Sequence, residues 1–397
     1  MAERTAHLAM TAPDWDPLAP EVLDDQQRAH DDMRSRCPVA WSEFLGWSLF
    51  RYADILEVVR DPETFGNRVS GAPAVPVADV PSIPLQLDPP EHTPFKRLLM
   101  TYFSSARMAE FEPRSRALAD ALLDGYLASS GDAVSAFTEP YPVQSLCAFL
   151  GWPAQDWRQL KTWSSAIERA ALRRDPEAGR QATEAFHAYI QRFIDARRDE
   201  PRDDVTTWLL ESEREEAIAL DDPRKISILR LLLHAGHGTT TSSLGLCMLY
   251  LALHPDAQAQ LRAYPAGIPA AVEEILRHDG PLMSMPRVVR RDCAVGGRAL
   301  QAGDRVALMF AAADRDSEVF PDAERCELGR SPNRHLVFGN GAHFCLGARL
   351  ARLELKVALE QLLARTTSFQ LIGEPPRRYR WPGNGPRSLP LAMEPAP

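Results

Sequence analysis

The chain has 397 residues, 45% hydrophobic and 25% charged, with 45 Lys and Arg against 54 Asp and Glu. That composition excludes a disordered or fibrous chain, and a net charge of −9 excludes a phosphate-backbone binder, so no nucleic-acid partner is expected. The start has no long apolar run and no cleavable leader, which predicts a soluble, cytoplasmic protein with no membrane contact. Six cysteines (Cys37, Cys147, Cys247, Cys293, Cys326, Cys345) in so long a chain do not form a disulfide framework.

Residues 1–20 and 373–397 read as irregular, Pro-rich ends. Residues 67–94 carry seven prolines among small apolar residues, which predicts a long irregular loop of the kind kept for binding. It runs into Asp88-Pro89-Pro90-Glu91-His92-Thr93, with Lys96 and Arg97 just beyond. Apolar residues then recur at helical spacing over 107–129, 155–172, 180–198 and 223–253. The last stretch has a start signal in Asp221-Asp222-Pro223 and a stop at Pro255. In its middle, Ala235-Gly236-His237-Gly238-Thr239-Thr240-Thr241 is a poor helix sequence. Taken alone, that run predicts a kink or a close helix contact. Glu274 and Arg277 stand at i and i+3 on a following helix and can pair. Short strand signals come at 288–289, 293–295 and 305–310, with turns at Gly296-Gly297 and Ala302-Gly303. No repeat or long linker divides the chain, so one domain over 1–397 is expected, mainly α with small β-sheets.

Residues 338–347 read Phe-Gly-Asn-Gly-Ala-His-Phe-Cys-Leu-Gly. The helix after them has Leu346, Leu350, Leu353 and Val357 on one stripe, with Arg349, Arg352, Lys356 and Glu360 on the opposite one. Cys345 thus stands just before a helix N-terminus, where free N–H groups and the helix dipole favour a thiolate. Gly339 and Gly341 permit positive φ in a tight loop beneath a flat ligand. His343 is placed to meet an anionic group on such a ligand. Three plainer readings compete. Cys345 as a buried structural thiol is the commonest state of a lone cysteine. A zinc site with Cys326, His335 and His343 lacks the usual paired spacing. A nucleophile–base pair with His343 has no third group to orient it.

The run from Phe338 to Gly347 resembles the haem-binding signature of the cytochrome P450 family, F-x-x-G-x-[HR]-x-C-x-G, with every fixed position filled. Landmarks from Asp88 to Gly347 follow the family order, so the resemblance spans nearly the whole chain. It implies the P450 fold, with haem b (iron protoporphyrin IX) between the central long helix and the Cys-loop helix. It implies that Cys345 ligates the iron, that Phe338 shields the sulfur, and that Gly339 and Gly347 belong to the cofactor loop. His92, Lys96, Arg287 and His343 would meet the haem propionates. Lys96 stands where the family more often has Arg, and so offers a point charge without a fork. Glu274 and Arg277 match the family's E-x-x-R, a structural pair that Arg325 would complete, with His335 another candidate.

In the central helix, the resemblance gives Ala235 and Gly236 the task of leaving room over the iron. Thr239 would supply the hydroxyl that delivers protons during oxygen activation. The residue before that Thr is usually Asp or Glu, and here it is Gly238. Three explanations follow: a relay through His237 or water, a group on the substrate, or a reaction such as peroxide use that needs fewer protons. Substrate contacts would come from Val69, Val75, Val77, Val80 and Ile83, from Leu232, Ala235 and Thr239, and from Met283, Ser284 and Met285. Phe186 and Phe193 would sit on lid helices. A wall bearing methionine suits a small lipophilic or aromatic substrate. The implied activity is a monooxygenase that inserts one atom of O2. No length remains for a flavin or ferredoxin domain, so a separate ferredoxin and ferredoxin reductase would bring electrons from NAD(P)H. Arg349, Arg352 and Lys356 would form the docking face of a monomeric enzyme. A peroxide-driven oxidase and a non-catalytic haem-binding partner protein are the alternatives.

Overall fold

The computed structural model describes residues 12–68, 80–129, 131–173, 175–215, 218, 220–376 and 383–397. A hairpin of β1 (Val39–Ser42) and β2 (Gly46–Leu49) leads into α1 (Tyr52–Arg60) and the short β3 (Phe65–Gly66). The helical part runs through α2 (His92–Tyr102), α3 (Ser105–Ser129), α4 (Pro140–Leu150), α5 (Trp157–Arg173) and α6 (Pro176–Asp199). It continues with α7 (Val205–Glu215), α8 (Asp222–Leu253) and α9 (Ile268–His278). Strands β4 (Met285–Val289) and β5 (Arg305–Leu308) precede α10 (Ala348–Arg365), β6 (Thr366–Leu371) and β7 (Pro390–Pro395).

The larger sheet has the order β1-β2-β5-β4-β3, with β2 and β5 parallel and the other pairs antiparallel. Its apolar side packs on α1 through Val39, Ile55, Val58, Val306 and Leu308. The helices share a second, larger core around α8. The described parts of both ends are more regular than their composition predicts. Trp15 is buried against Phe50, and β7 pairs along β6. Proline is tolerated at the margins of β7 because it opens the strand at Pro390 and stands at the irregularity beside Pro395.

Helix α8 positions the site. Asp221 caps it by accepting the Arg224 N–H at 3.1 Å, and Pro223 sits in its first turn. The Gly/Thr run does not break it, since the helix is continuous over 32 residues. Thr239 and Thr240 donate their hydroxyls to the Ala235 and Gly236 carbonyls at 3.0 and 2.8 Å, which satisfies them within the helix. Gly236 is a close helix contact: a Cβ there would meet Leu146 Cδ1 of α4 at 2.9 Å. The room expected from Gly236 over the cofactor is therefore taken by α4.

The two-faced reading of α10 is too simple. Glu354, Leu355 and Leu359 are buried along with the expected stripe, because α3, α8 and α9 all pack on this helix. Burial pushes the Glu354 carboxyl up to about 8. A carboxyl raised on folding gives stability that is full below its unfolded value and lost as pH rises through the folded one. Glu354→Gln, neutral at every pH, is therefore expected to lose less stability than the parent between about 4.5 and about 8. At pH 7 it should be the more stable by about 3 kcal/mol, read from denaturant midpoints.

Candidate active site

The loop before α10 is built for one conformation. Gly339 and Gly341 have φ of +68° and +69°. A Cβ on Gly341 would lie 2.3 Å from the Val59 carbonyl oxygen, so only glycine fits between the loop and α1. Gly339 donates its N–H to Leu336 O at 2.7 Å, and Cys345 donates its N–H to Phe338 O at 2.8 Å. These bonds fold the loop back so that residue Cys345 is exposed three positions before α10. Burial by surrounding atoms pushes its thiol up, while the Gly347 and Ala348 N–H groups, Lys96 and Arg352 work the other way. The expected helix-end stabilisation exists, but desolvation outweighs it.

Phe338 packs beside that sulfur loop and carries the Arg352 guanidinium 4.3 Å above its ring. Arg352 is also bidentate to Glu273 at 2.7 and 2.8 Å, and His335 Nε2 joins the same carboxylate at 3.1 Å. Burial raises Glu273, yet Arg352 and His335 outweigh it and hold the carboxyl at about 2. Arg352 therefore fastens the loop to α9 and is not a free docking cation. Lys356 is likewise engaged, with Glu112 at 3.2 Å. Of the three expected docking residues, Arg349 alone is exposed, with Nη1 donating to Phe103 O.

Glu274 and Arg277 are both fully buried and joined by two bonds of 2.8 and 2.9 Å. The expected third member, Arg325, is exposed and contributes only its carbonyl, which accepts from Arg277 at 2.9 Å. Arg330 takes that place: its Nε donates to Glu274 Oε1 at 3.0 Å and its Nη1 to Pro321 O at 2.7 Å. The turn at 321–325 points the Arg325 side chain outward, whereas Arg330 wraps back across it. His335 serves Glu273 and not this pair.

Basic side chains gather at the other edge of the loop. His92, only 2% exposed, has its ring 4.4 Å from that of His343. Burial lowers His92, and burial together with His92 and Arg287 lowers His343 to about 4. Arg287 is 5% exposed and donates Nη1 to Pro286 O at 2.8 Å, with no acid among the described residues in ion-pair contact. Asp88 lies 3.4 Å from His343 Nε2, but Arg290 at 2.6 Å and the Asn67 N–H at 3.0 Å also share that one carboxylate. Lys96 donates Nζ to Phe344 O. A buried guanidinium without a counter-charge is unfavourable, so Arg287, His92 and His343 are suited to an anionic group. Two carboxylates on a flat cofactor lying over Cys345 fit this donor set. Among the described residues no three His, Cys, Asp or Glu side chains gather as a metal cage, which leaves the zinc reading without ligands.

On α8, Ala235, Gly238 and Thr239 are exposed within a helix that is mostly buried. A Cβ on Gly238 would meet nothing within 4 Å. His237 is buried, with Nδ1 3.0 Å from Leu233 O and the Lys161–Glu139 pair near it, so it does not share the face of Gly238. The expected substrate wall is only partly assembled. Met283 and Ser284 are buried, Met285 packs on the sheet core, and Leu232 packs on the helical core. Ile83 and Phe186 are core residues, and Phe193 packs among Trp152 and Tyr189. Val80 is partly buried against the same core. Val69, Val75 and Val77 lie outside the described residues. Sequence reasoning missed Arg330, Glu273 and Asp88. The only available signal was their charge beside the recognised motifs.

The cytochrome P450 family profile matches residues 155–263 and 268–383. The chain is 36% identical over 344 residues to the vitamin D(3) 25-hydroxylase of Pseudonocardia autotrophica, covering 85% of this chain and 84% of that protein. It is 35% identical to the mycinamicin IV hydroxylase/epoxidase of Micromonospora griseorubida, over 87% and 89% of the two chains. Among solved structures, the corticosterone complex of CYP109E1 from Bacillus megaterium superposes with a TM-score of 0.83 at 29% identity, covering 94% and 99% of the two chains.

Removing Arg330 leaves part of the Glu274 charge buried and unpaired. Arg330→Ala is expected to destabilise the protein by about 3 kcal/mol or more, and Arg325→Ala by no more than about 0.5 kcal/mol. Thermal unfolding of the two variants checks this.

Proposed function

The chain belongs to the cytochrome P450 family, and on that premise we propose that it hydroxylates or otherwise oxygenates a lipophilic small molecule with electrons from a separate ferredoxin and its NAD(P)H-dependent reductase. The overall reaction places one atom of O2 in the substrate, releases the other as water, and consumes two electrons and two protons. The observation that carries this reading is an exposed cysteine in a fixed loop beside Arg287, His92 and His343, basic side chains whose neighbouring carboxylate, Asp88, is already taken by Arg290. Bound haem supplies the oxidising iron, and the protein supplies an axial sulfur, orientation and protons.

Cys345 would ligate the iron, its backbone held by the N–H bond to Phe338 O. Arg287, His92 and His343 would meet the propionates, and Lys96 closes the loop edge through Phe344 O. Ala235 and Gly238 keep the distal face open. Thr239 carries the hydroxyl proton, which rests on the Ala235 carbonyl at 3.0 Å and is released when the side chain turns toward a bound group. The hydroxyl has no acid behind it at Gly238, and His237 turns elsewhere, which supports delivery through water or the substrate. The names of the relatives, a vitamin D(3) 25-hydroxylase and a mycinamicin IV hydroxylase/epoxidase, together with the corticosterone complex, support a lipophilic substrate. No helix among the described residues is long and apolar enough to cross a membrane.

Gly238 favours one second reading, a peroxide-driven oxidase on the same fold. Turnover under isotopically labelled O2 with surrogate ferredoxin and reductase separates the two. We expect one labelled oxygen atom per product molecule, whereas product formed only with added hydrogen peroxide overturns the monooxygenase reading. Because the space at Gly238 is open, Gly238→Glu should fold and raise product formed per NADH by about twofold or more. Unchanged coupling means that the missing acid is irrelevant to proton delivery.

A further inference from the structure

Four arginines among the described residues are at least nine-tenths buried: Arg197, Arg230, Arg277 and Arg287. Arg197 pairs with Asp204 at 2.6 Å and Arg277 with Glu274, while Arg287 faces the propionate side of the cofactor loop. Arg230 remains. It is 6% exposed, its Nη2 donates to Ser82 Oγ at 3.0 Å, and among the described residues its Nε has no partner and no acid is in ion-pair contact. The bond to Ser82 is not needed to hold that loop. One turn earlier, Ser227 already fastens it, donating to Pro81 O at 2.7 Å and accepting the Ile83 N–H at 3.1 Å.

Arg230 has further donors beside it, and the acid nearest that cluster, Glu184 next to His187, is exposed and pairs with Arg180. His187 of α6 also has a buried Nε2 without a partner. Burial and the Arg230 charge hold that imidazole neutral, at about 4. One turn along α8, His234 Nδ1 is 2.6 Å from Ser164 Oγ. Arg230, His234 and Gly238 are spaced i, i+4 and i+8, so one row of the helix leads from the buried guanidinium to the accessible stretch beside Thr239. The axial rise from Arg230 to Thr239 is about 13 Å, which suits a ligand whose charged end and reacting end are well separated.

We propose that Arg230 anchors the carboxylate of a lipophilic acid, with the Ser82 hydroxyl and the His187 Nε2–H as neighbouring donors. The planar fork of Arg suits a carboxylate, and a single cation balances a single charge. The apolar remainder of the acid then lies along α8 toward Thr239. This deepens the monooxygenase reading and rests on it.

The test is a titration of the haem-loaded protein with 4-butylbenzoate and decanoate, each against its primary amide, following the ligand-induced spin-state shift. Calorimetry gives a second readout of affinity. At least one acid is expected to bind about 10-fold or more tightly than its amide. Arg230→Gln should erase that preference while leaving the amide affinity within about twofold. Arg230→Lys should keep part of it, because the charge stays and the fork is lost. A reduced-plus-CO spectrum unchanged from the parent shows that the variants retain their cofactor site. Acids bound no better than amides, including no binding by either, overturn the proposal, as does a preference that survives Arg230→Gln. Either result together with a thiolate-type CO spectrum sinks the anchor alone and leaves the monooxygenase reading standing.

Discussion

Everything near the cofactor loop depends on one carboxylate that has been taken out of water. Glu274 is fully buried, and two guanidiniums and the Glu327 N–H meet it. Through Arg277 the network also collects the carbonyls of Asp314, Ala323 and Arg325. A buried ion pair adds little net stability over apolar packing, but removing one partner strands a charge. Its effect is to permit a single arrangement. The irregular stretch from 314 to 330 has no periodic core of its own, and this network fixes it to α9. The loop that carries Cys345 begins only a few residues later. Glu273, next in sequence, repeats the device with Arg352 and His335 and clamps the loop itself.

A second constraint comes from the surplus of basic groups at His92, Arg287 and His343. Among the described residues, Asp88 is the one carboxylate they share with Arg290, and burial lowers the pKa of both histidines. Binding an anionic cofactor removes the penalty, so loading the site and folding are coupled. The anchor proposed at Arg230 follows the same reasoning. Among the described residues, Arg287 and Arg230 are the buried guanidiniums without an ion-paired acid, whereas Arg197 and Arg277 are paired.

Much of the architecture was legible in the sequence because it is written in local periodicity. The long helices fell within a few residues of their spacing signals, and the glycines of 338–347 pointed to the loop that Gly341 fits against Val59. What was not legible is set by tertiary packing. Arg325 and Arg330 are equivalent as sequence, and only the turn at 321–325 decides which reaches Glu274. The polar stripe of α10 read as a docking face, but Arg352 and Lys356 are spent on ion pairs with Glu273 and Glu112. Strand β7 was hidden by its prolines. Gly236 looked like space for a ligand and is space for Leu146. Arg230 stood in an apolar run with nothing local to mark it.

The central claim is that the fold presents Cys345 as the axial sulfur of a haem held by Arg287, His92 and His343. The reduced-plus-CO difference spectrum of the purified protein tests it most directly. The account predicts a Soret band at the haem-thiolate position, converted to a histidine-type band in Cys345→His. A histidine-type band in the unaltered protein, or no haem uptake at all, contradicts it.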